Sequence, residues 1–417
     1  MHDTRSAPRS GYPVIVLAML LLVYTFNFLD RQILSILAQP VKKDLGLDDA
    51  QLGMLGGLAF AALYSTLAIP LALLADRTSR TWVITVSLGV WSAFTALCGF
   101  AQNFTTMFLF RLGVGVGEAG GVAPSYALIS DYFPPGKRAR ALSIYSLGIP
   151  LGAAGGVLLG GYIAQNVEWR TAFVTVGIAG LVIAPFFRLI VKDPPRAAAR
   201  ADAAPVAHVF PILAAKPSFW LMAFGAAAGS MCGYGVAFWL PSLMQRSFAL
   251  SLVETGQFFG ALLLTGGVAG ILLGGWMGDR LGARDRRWYA LAPAICYAAG
   301  APLFIAGVLS SSWPIAFALF LLPQALVYVW LGPVLAAVQH LVPAQMRATA
   351  SASFLLINNL IGLGLGSWAI GSLSKALTPS YGDEALRYAI AAGLGLYFVA
   401  GGLMALASRF LQRDWVE

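Results

Sequence analysis

Apolar runs of about 20 residues recur along all 417 residues, each long enough to cross a hydrocarbon core of about 30 Å. No window shows the alternation of about ten residues expected of an outer-membrane barrel strand. The pattern predicts helices at 13–38, 50–75, 82–101, 104–132, 140–166, 170–191, 217–246, 251–278, 288–310, 313–342, 346–375 and 385–411. The expected fold is therefore an all-α polytopic membrane protein with twelve transmembrane helices. The first span lacks a small-residue cleavage site and leads straight into another, so it reads as a retained helix and not a signal peptide.

Composition agrees with this solvent. Hydrophobic residues make up 59% of the chain and charged residues 11%, against about 25% charged in a soluble domain. The net charge of +9 need not imply a nucleic-acid partner. With the spans placed as above, 19 of the 27 Lys and Arg fall on the side of the N-terminus, six on the other side and two, Arg31 and Arg111, within spans. The positive-inside rule then puts both termini in the cytoplasm of a cell membrane protein.

The segment Lys192–Lys216, rich in Ala, Pro and charge, reads as a cytoplasmic linker. It separates a six-helix bundle at 1–191 from a second at 217–417. The halves echo each other. ALLADRTSRTW at Ala72–Trp82 is matched by GWMGDRLGARD at Gly275–Asp285, and FPPGKRARA at Phe133–Ala141 by VPAQMRATA at Val342–Ala350. Glycines punctuate the fifth span at Gly152, Gly155 and Gly156, and the eleventh at Gly362, Gly364 and Gly366. Two pseudo-symmetric bundles of this kind place a binding site between them near the midplane.

A charged group at the centre of a spanning helix costs about 2.5–3.5 kcal/mol on insertion scales and usually marks a substrate or ion path. Arg111 and Glu118 lie two helical turns apart on nearly one face of the fourth span. Gly115 shares that face and is expected to leave space beside the charges, whereas Gly113 and Gly117 form a packing surface opposite. Asp30 sits at a depth similar to that of Arg111, so these two are expected to pair. Glu118 is expected to carry the coupling proton, with Asp30 as second candidate, and Arg111 to receive a substrate headgroup. A buried network of Asp30, Arg31, Arg111 and Glu118 that merely fixes helix register is the plain alternative. In the second half, Tyr234, Gln324, Tyr328, Asn358 and Asn359 are the polar span residues expected to meet a substrate, each with an interhelical hydrogen bond as its ordinary role.

Asp76 and Asp279 are expected to face the N-termini of the eleventh and fifth spans, whose partial positive charge favours an anion. Arg77 and Arg80 are expected to pair with Asp131, and Arg280 to belong with Asp279. Together these six would form a cytoplasmic gate. Cys98, Cys232 and Cys296 read as small packing residues, and His2, His208 and His340 are too dispersed for a metal site. His340 reads as a hydrogen-bonded group at a helix end. Gly115–Gly120 matches GxGxxG, but it lies inside an apolar helix with no preceding strand, which argues against dinucleotide binding. No P-loop, nucleophile–base pair or metal cluster is present in the sequence, so neither an ATP-driven pump nor an enzyme is expected, and no cofactor.

DR-x-x-R at Asp76–Arg80, GWMGDRLG at Gly275–Gly282 and WRTAF at Trp169–Phe173 resemble signatures of the major facilitator superfamily. Ala72 and Ser79 stand where that pattern usually has glycine. FNFLDRQ at Phe26–Gln32 and RLGVGVGEAGGVAPSYALISDYFP at Arg111–Pro134 resemble its Spinster branch. That resemblance implies a secondary transporter; the branch is associated with export of sphingosine-1-phosphate and lysophospholipids in animals, with proton coupling proposed for some members. The expectation is proton-coupled movement of an amphiphilic or lipid-like organic anion. The alternative is an antiporter or uptake carrier for a hydrophilic metabolite or drug. The expected partners are a small-molecule or lipid-like substrate, protons and membrane lipid, with no nucleic acid, acting as a monomer.

Overall fold

The computed structural model describes residues 11–194, 209–343 and 346–416. Most of the linker, together with His2, His208, Arg5, Arg9, Arg196 and Arg200, lies outside them. Twelve spanning helices follow in order: α1 (Tyr12–Ile36), α2 (Asp49–Arg77), α3 (Arg80–Cys98), α4 (104–132), α5 (Arg140–Asn166), α6 (Trp169–Ile190), α7 (Pro217–Ser247), α8 (Leu252–Gly282), α9 (Trp288–Leu309), α10 (Trp313–Gln339), α11 (347–381) and α12 (385–414). By length and apolarity alone ten helical stretches qualify, because α4 is interrupted and α11 and α12 share one stretch, Thr349–Asp414.

Local chemistry sets the boundaries. Asn103 accepts from the Thr106 N–H and opens α4, and Ser251 with Glu254 forms a reciprocal capping box at the start of α8. The continuation of α1 over Ala38–Leu45 stops at Gly46, whose φ of 63° suits a residue without Cβ. Helix α4 breaks between Glu118 and Val122, at Gly120 and Gly121. In the second half, α8 and α11 each contain a π-helical turn, Leu263–Gly267 and Asn359–Leu363. Such bulges are frequent at functional sites.

Close backbone approach is built the same way in both halves. On α5, a Cβ at Gly152 would lie 2.2 Å from the Thr25 carbonyl oxygen of α1. On α11, one at Gly366 would lie 2.3 Å from the Met231 carbonyl oxygen of α7. Side-chain-free surfaces let membrane helices gain dispersion contact where water gives no driving force. Gly113 and Gly117 pack on α3, against Phe94 and Trp91, as expected. Gly115 departs from expectation: a Cβ there would meet the Phe60 carbonyl oxygen of α2 at 2.4 Å. That face of α4 is therefore filled by a neighbouring helix, and it leaves no open space.

The end of the bundle that carries α2–α3, α4–α5 and α8–α9 is called the basic end, and the opposite one the far end. At the far end the halves are bonded together. Arg246 of α7 donates to both Asp49 carboxylate oxygens, at 2.8 and 2.6 Å, and Ser374 of α11 donates to Asp49 at 2.7 Å. Lys375 pairs with Asp48 at 2.9 Å. Gln39 donates to Ser242 at 2.8 Å, and Ser367 to the Gly53 carbonyl at 2.9 Å. The Val253 N–H donates to Gln165 at 2.8 Å. The far end is shut. At the basic end Asp279 and Arg280 are exposed.

Candidate functional site

Two adjacent residues of α1 organise the polar interior of the first half. Successive side chains on a helix diverge by about 100°, so Asp30 and Arg31 reach different partners. Arg31 Nε donates to Glu118 Oε2 at 2.7 Å, with the Glu118 side chain fully enclosed and the Arg31 side chain 11% exposed. Asp30 turns inward, accepts from Thr95 of α3, and lies 3.9 Å from Arg111 Nη1. The Asp30–Arg111 pairing is as anticipated. The role of Arg31 is not: Glu118 closes its ion pair with Arg31, although Arg111 shares its helix.

The surroundings of Arg31 are aromatic. Its guanidinium carbon lies 5.0 Å from the Phe28 ring centroid, 4.7 Å from Phe60 and 4.6 Å from Tyr64. Such faces attract a cation through their quadrupoles. Beyond them Tyr24 stacks on Tyr145 at 4.2 Å, and Tyr126 meets Tyr145 edge-on at 5.5 Å. Tyr234 of α7 comes within electrostatic range of Arg31 from the opposite half. Arg111 is different. Its side chain is 2% exposed, with Phe60 5.7 Å from the guanidinium carbon.

Several polar atoms of this cluster are buried with no hydrogen-bond partner: Glu118 Oε1, Asp30 Oδ1, Asn27 Oδ1, Arg31 Nη2, and Arg111 Nε and Nη1. Buried donors and acceptors are normally matched. This set includes both kinds, on two helices, so the centre is polar enough to accept a ligand atom, a proton or water.

The second-half candidates separate by burial. Asn358 is buried and accepts from Ser230 at 2.8 Å, while its Nδ2 faces Asn359 Oδ1 at 3.4 Å. Asn359 begins the π turn of α11 and is half-buried. Gln324 is buried where α10 passes Gly266 of α8. Tyr234 and Tyr328 remain half-buried, and Tyr328 lies beside Gly267. Asn358 and Gln324 are thus buried between helices, whereas Tyr234, Tyr328 and Asn359 keep accessible surface.

Of the six gate residues, Arg80 meets two. It bonds Asp131 at the end of α4, and Asp76 one turn before it at 3.2 Å. All three belong to the first half. Asp76 is 62% exposed, and Arg77, Asp279 and Arg280 are exposed as well. The far-end centre around Asp49 was not anticipated. The signal available was a carboxylate pair, Asp48–Asp49, opening one span on a side with few charges, and Arg246 ending another on that side.

Known proteins bear on this geometry. The sequence profile described as Major Facilitator Superfamily matches residues 20–367. An MFS-type efflux pump of Mycolicibacterium smegmatis is 33% identical over 420 residues, covering 100% of this chain and 97% of that protein. Protein spinster of Drosophila melanogaster is 27% identical over 376 residues, covering 86% of this chain and 61% of that protein. A bacterial homolog of the human lysosomal transporter Spinster, solved in an inward-facing and unoccupied conformation, superposes with a TM-score of 0.88 at 29% identity, covering 98% and 99% of the two chains.

Proposed function

The chain belongs to the Major Facilitator Superfamily, and from that premise we propose that it couples proton movement to transport of an amphiphilic organic anion through Arg31 and Glu118. It is a Spinster-like membrane transporter and not an enzyme. The observation that carries the finer reading is the 2.7 Å bond between the enclosed Glu118 carboxylate and an Arg31 that keeps an exposed edge among Phe28, Phe60 and Tyr64.

One guanidinium cannot serve two anions fully. With Glu118 ionised, Arg31 is engaged internally and meets an incoming anion already neutralised. With Glu118 protonated, Arg31 is released to bind a carboxylate or phosphate group. Proton binding therefore raises anion affinity, and by reciprocity anion binding raises proton affinity by the same factor. The aromatic walls suit a headgroup followed by an apolar body. Arg31 thereby takes the headgroup role that spacing alone gave to Arg111. Arg111 instead holds Asp30, which remains the second candidate for a proton. Tyr234, Tyr328 and Asn359 contribute the opposite wall of the site.

The basic end is taken as cytoplasmic. Asp76, Arg77, Arg80, Asp131, Asp279 and Arg280 would then assemble as the gate when that end closes and the far-end bonds part. A second reading, export of a hydrophilic drug or metabolite, is favoured by the 33% identity to an efflux pump. Proteoliposomes challenged with a panel of lysolipids and soluble organic anions test both. Uptake of lysolipids that is lost in Arg31→Ala supports the first reading. Transport of soluble cargo alone, unaffected by Arg31→Ala, overturns it.

A further inference from the structure

The last residue of α12 and the two that follow it form a strap across the basic end of the second half. Trp415 stacks on the His340 ring at 4.6 Å with the planes 9° apart, and on Tyr289 at 5.4 Å. The Arg286 guanidinium lies 5.1 Å from the same indole. The Val416 N–H donates to the His340 carbonyl at 2.7 Å. Asp414 accepts from the Ser218 N–H at 3.1 Å and from its hydroxyl at 2.8 Å, capping the start of α7. Lys216 Nζ donates to the carbonyls of Leu341 and Asp414. Three residues, Asp414–Val416, thus touch the start of α7, the α8–α9 loop and the end of α10. Helix α10 ends at Gln339, so His340 lies just beyond it and not within the span.

The first half carries a comparable strap. The Lys192 N–H donates to the Tyr12 hydroxyl at 2.9 Å, the Tyr132 hydroxyl donates to the Lys192 carbonyl at 2.6 Å, and Asp193 accepts from the Thr81 N–H at 3.1 Å. It ties the first and fourth helices of its half, as the second strap ties α7 and α10. Only the second has a histidine at its centre.

We propose that Asp414–Val416 is a pH-released strap, held while His340 is neutral and let go when His340 is protonated, so that acidity at the basic end frees the end of α10. The groups facing His340 decide the direction. Arg286 from the α8–α9 loop and Arg347 from the start of α11 are both cations near the ring. Lys216 adds a third charge beside Leu341. Of the carboxylates near the strap among the described residues, Asp414 bonds Ser218 and Arg413, the latter at 3.0 Å, and Asp285 bonds the Arg287 N–H and Gln412. His340 Nδ1 is enclosed with no hydrogen-bond partner, so a proton there is a donor without an acceptor. The indole face attracts an imidazolium and works against release, but Arg286 already lies over that ring. Burial and then Arg347 hold the His340 pKa below its ordinary value, outweighing a backbone contact from Val416. A depressed histidine contributes stability above its ordinary value near 6.5, and that contribution is lost as pH falls toward the depressed one.

The proposal goes beyond the transport reading, because strap release is measured without any cargo. Amide hydrogen exchange of residues 412–416 is followed on the full chain in lipid nanodiscs between about pH 8 and about pH 5. Labelling times are scaled to cancel the intrinsic pH dependence of exchange. Protection in the parent should fall with acidity by up to about tenfold per pH unit, the limit for one linked proton. The 191–194 segment, which has no histidine, should show no such step. His340→Phe keeps a stacking ring without a titrating group and should stay protected throughout; His340→Gln serves if the Phe variant misfolds. His340→Arg, a permanent cation, should be unprotected at every pH. A parent with no step, a step that survives in His340→Phe or His340→Gln, or a protected strap in His340→Arg each overturns the proposal.

Discussion

Removing the Asp49 carboxylate should open the far end. Asp49 is 5% exposed and holds three partners: Arg246 through two bonds, Lys42 at 2.7 Å and Ser374. Lys42 lies in the same half as Asp49, so its bond does not join the halves. The state-dependent part is the pairing with Arg246 and Ser374, which come from α7 and α11. Charge-assisted bonds contribute about 1.5–3 kcal/mol each, and cutting one partner from a buried pair costs about 3–5 kcal/mol. A shift of about 3 kcal/mol against the far-closed state follows, or roughly a hundredfold in population at about 1.4 kcal/mol per tenfold. A far-open population of about 1% would then rise to about half. The assay is pulsed electron-spin distance measurement between labels at Asn166→Cys and Ser380→Cys, which are exposed on opposite halves at the far end. Cys98, Cys232 and Cys296 are buried and leave the engineered sites as the reactive thiols. Unchanged distance distributions in both Asp49→Ala and Arg246→Ala would refute the latch.

Other outcomes follow from the same geometry. Arg111→Ala strands Asp30 as a buried carboxylate without its cation, so thermal unfolding should report a loss of about 3–5 kcal/mol, and Asp30→Asn combined with Arg111→Met should lose less. Gly366→Ala drives a Cβ to within 2.3 Å of backbone and should cost about 1–3 kcal/mol. Gly275→Ala, with nothing within 4 Å, should leave the unfolding midpoint in place. For the far-end pair, burial raises the Asp48 pKa, but Lys375 and the Gln51 N–H lower it more, to a net value below the ordinary one. A depressed carboxylate contributes above its ordinary value near 4 and fails only as pH falls through the depressed one. The same spin-label distances should therefore not change between about pH 5 and about pH 8.

The spans were legible because hydrocarbon thickness imposes a length that apolar runs such as 288–310 reproduce. The glycines of α5 and α11 announced close packing because a missing side chain has few other uses in a membrane helix. Pairing between charges was legible only in part: Asp30 with Arg111 and Arg80 with Asp131 follow from depth and loop position, but Arg31 with Glu118 does not. Spacing placed Arg111 and Glu118 on one helical face, but it could not fix how α1 is rotated about its own axis. That rotation sends Arg31 to Glu118 and Asp30 to Arg111. Gly115 misled for a related reason: an absent side chain marks either space or a neighbour, and here the neighbour is the backbone of α2. Asp49 stayed hidden because a carboxylate in the first turn of a helix has an ordinary explanation in the helix dipole. Its partner stands 197 residues away.

The account turns on Glu118 as the group that links proton to cargo. Its most direct test is flux of a transported anion into proteoliposomes, with and without an imposed pH gradient, in the parent and in Glu118→Gln. The amide imitates the protonated carboxyl and leaves Arg31 permanently available. The account predicts that Glu118→Gln still exchanges the anion across the bilayer but gains nothing from the gradient that accelerates the parent. A Gln variant that responds to the gradient as the parent does would contradict it and move the proton to another group, with Asp30 next in line.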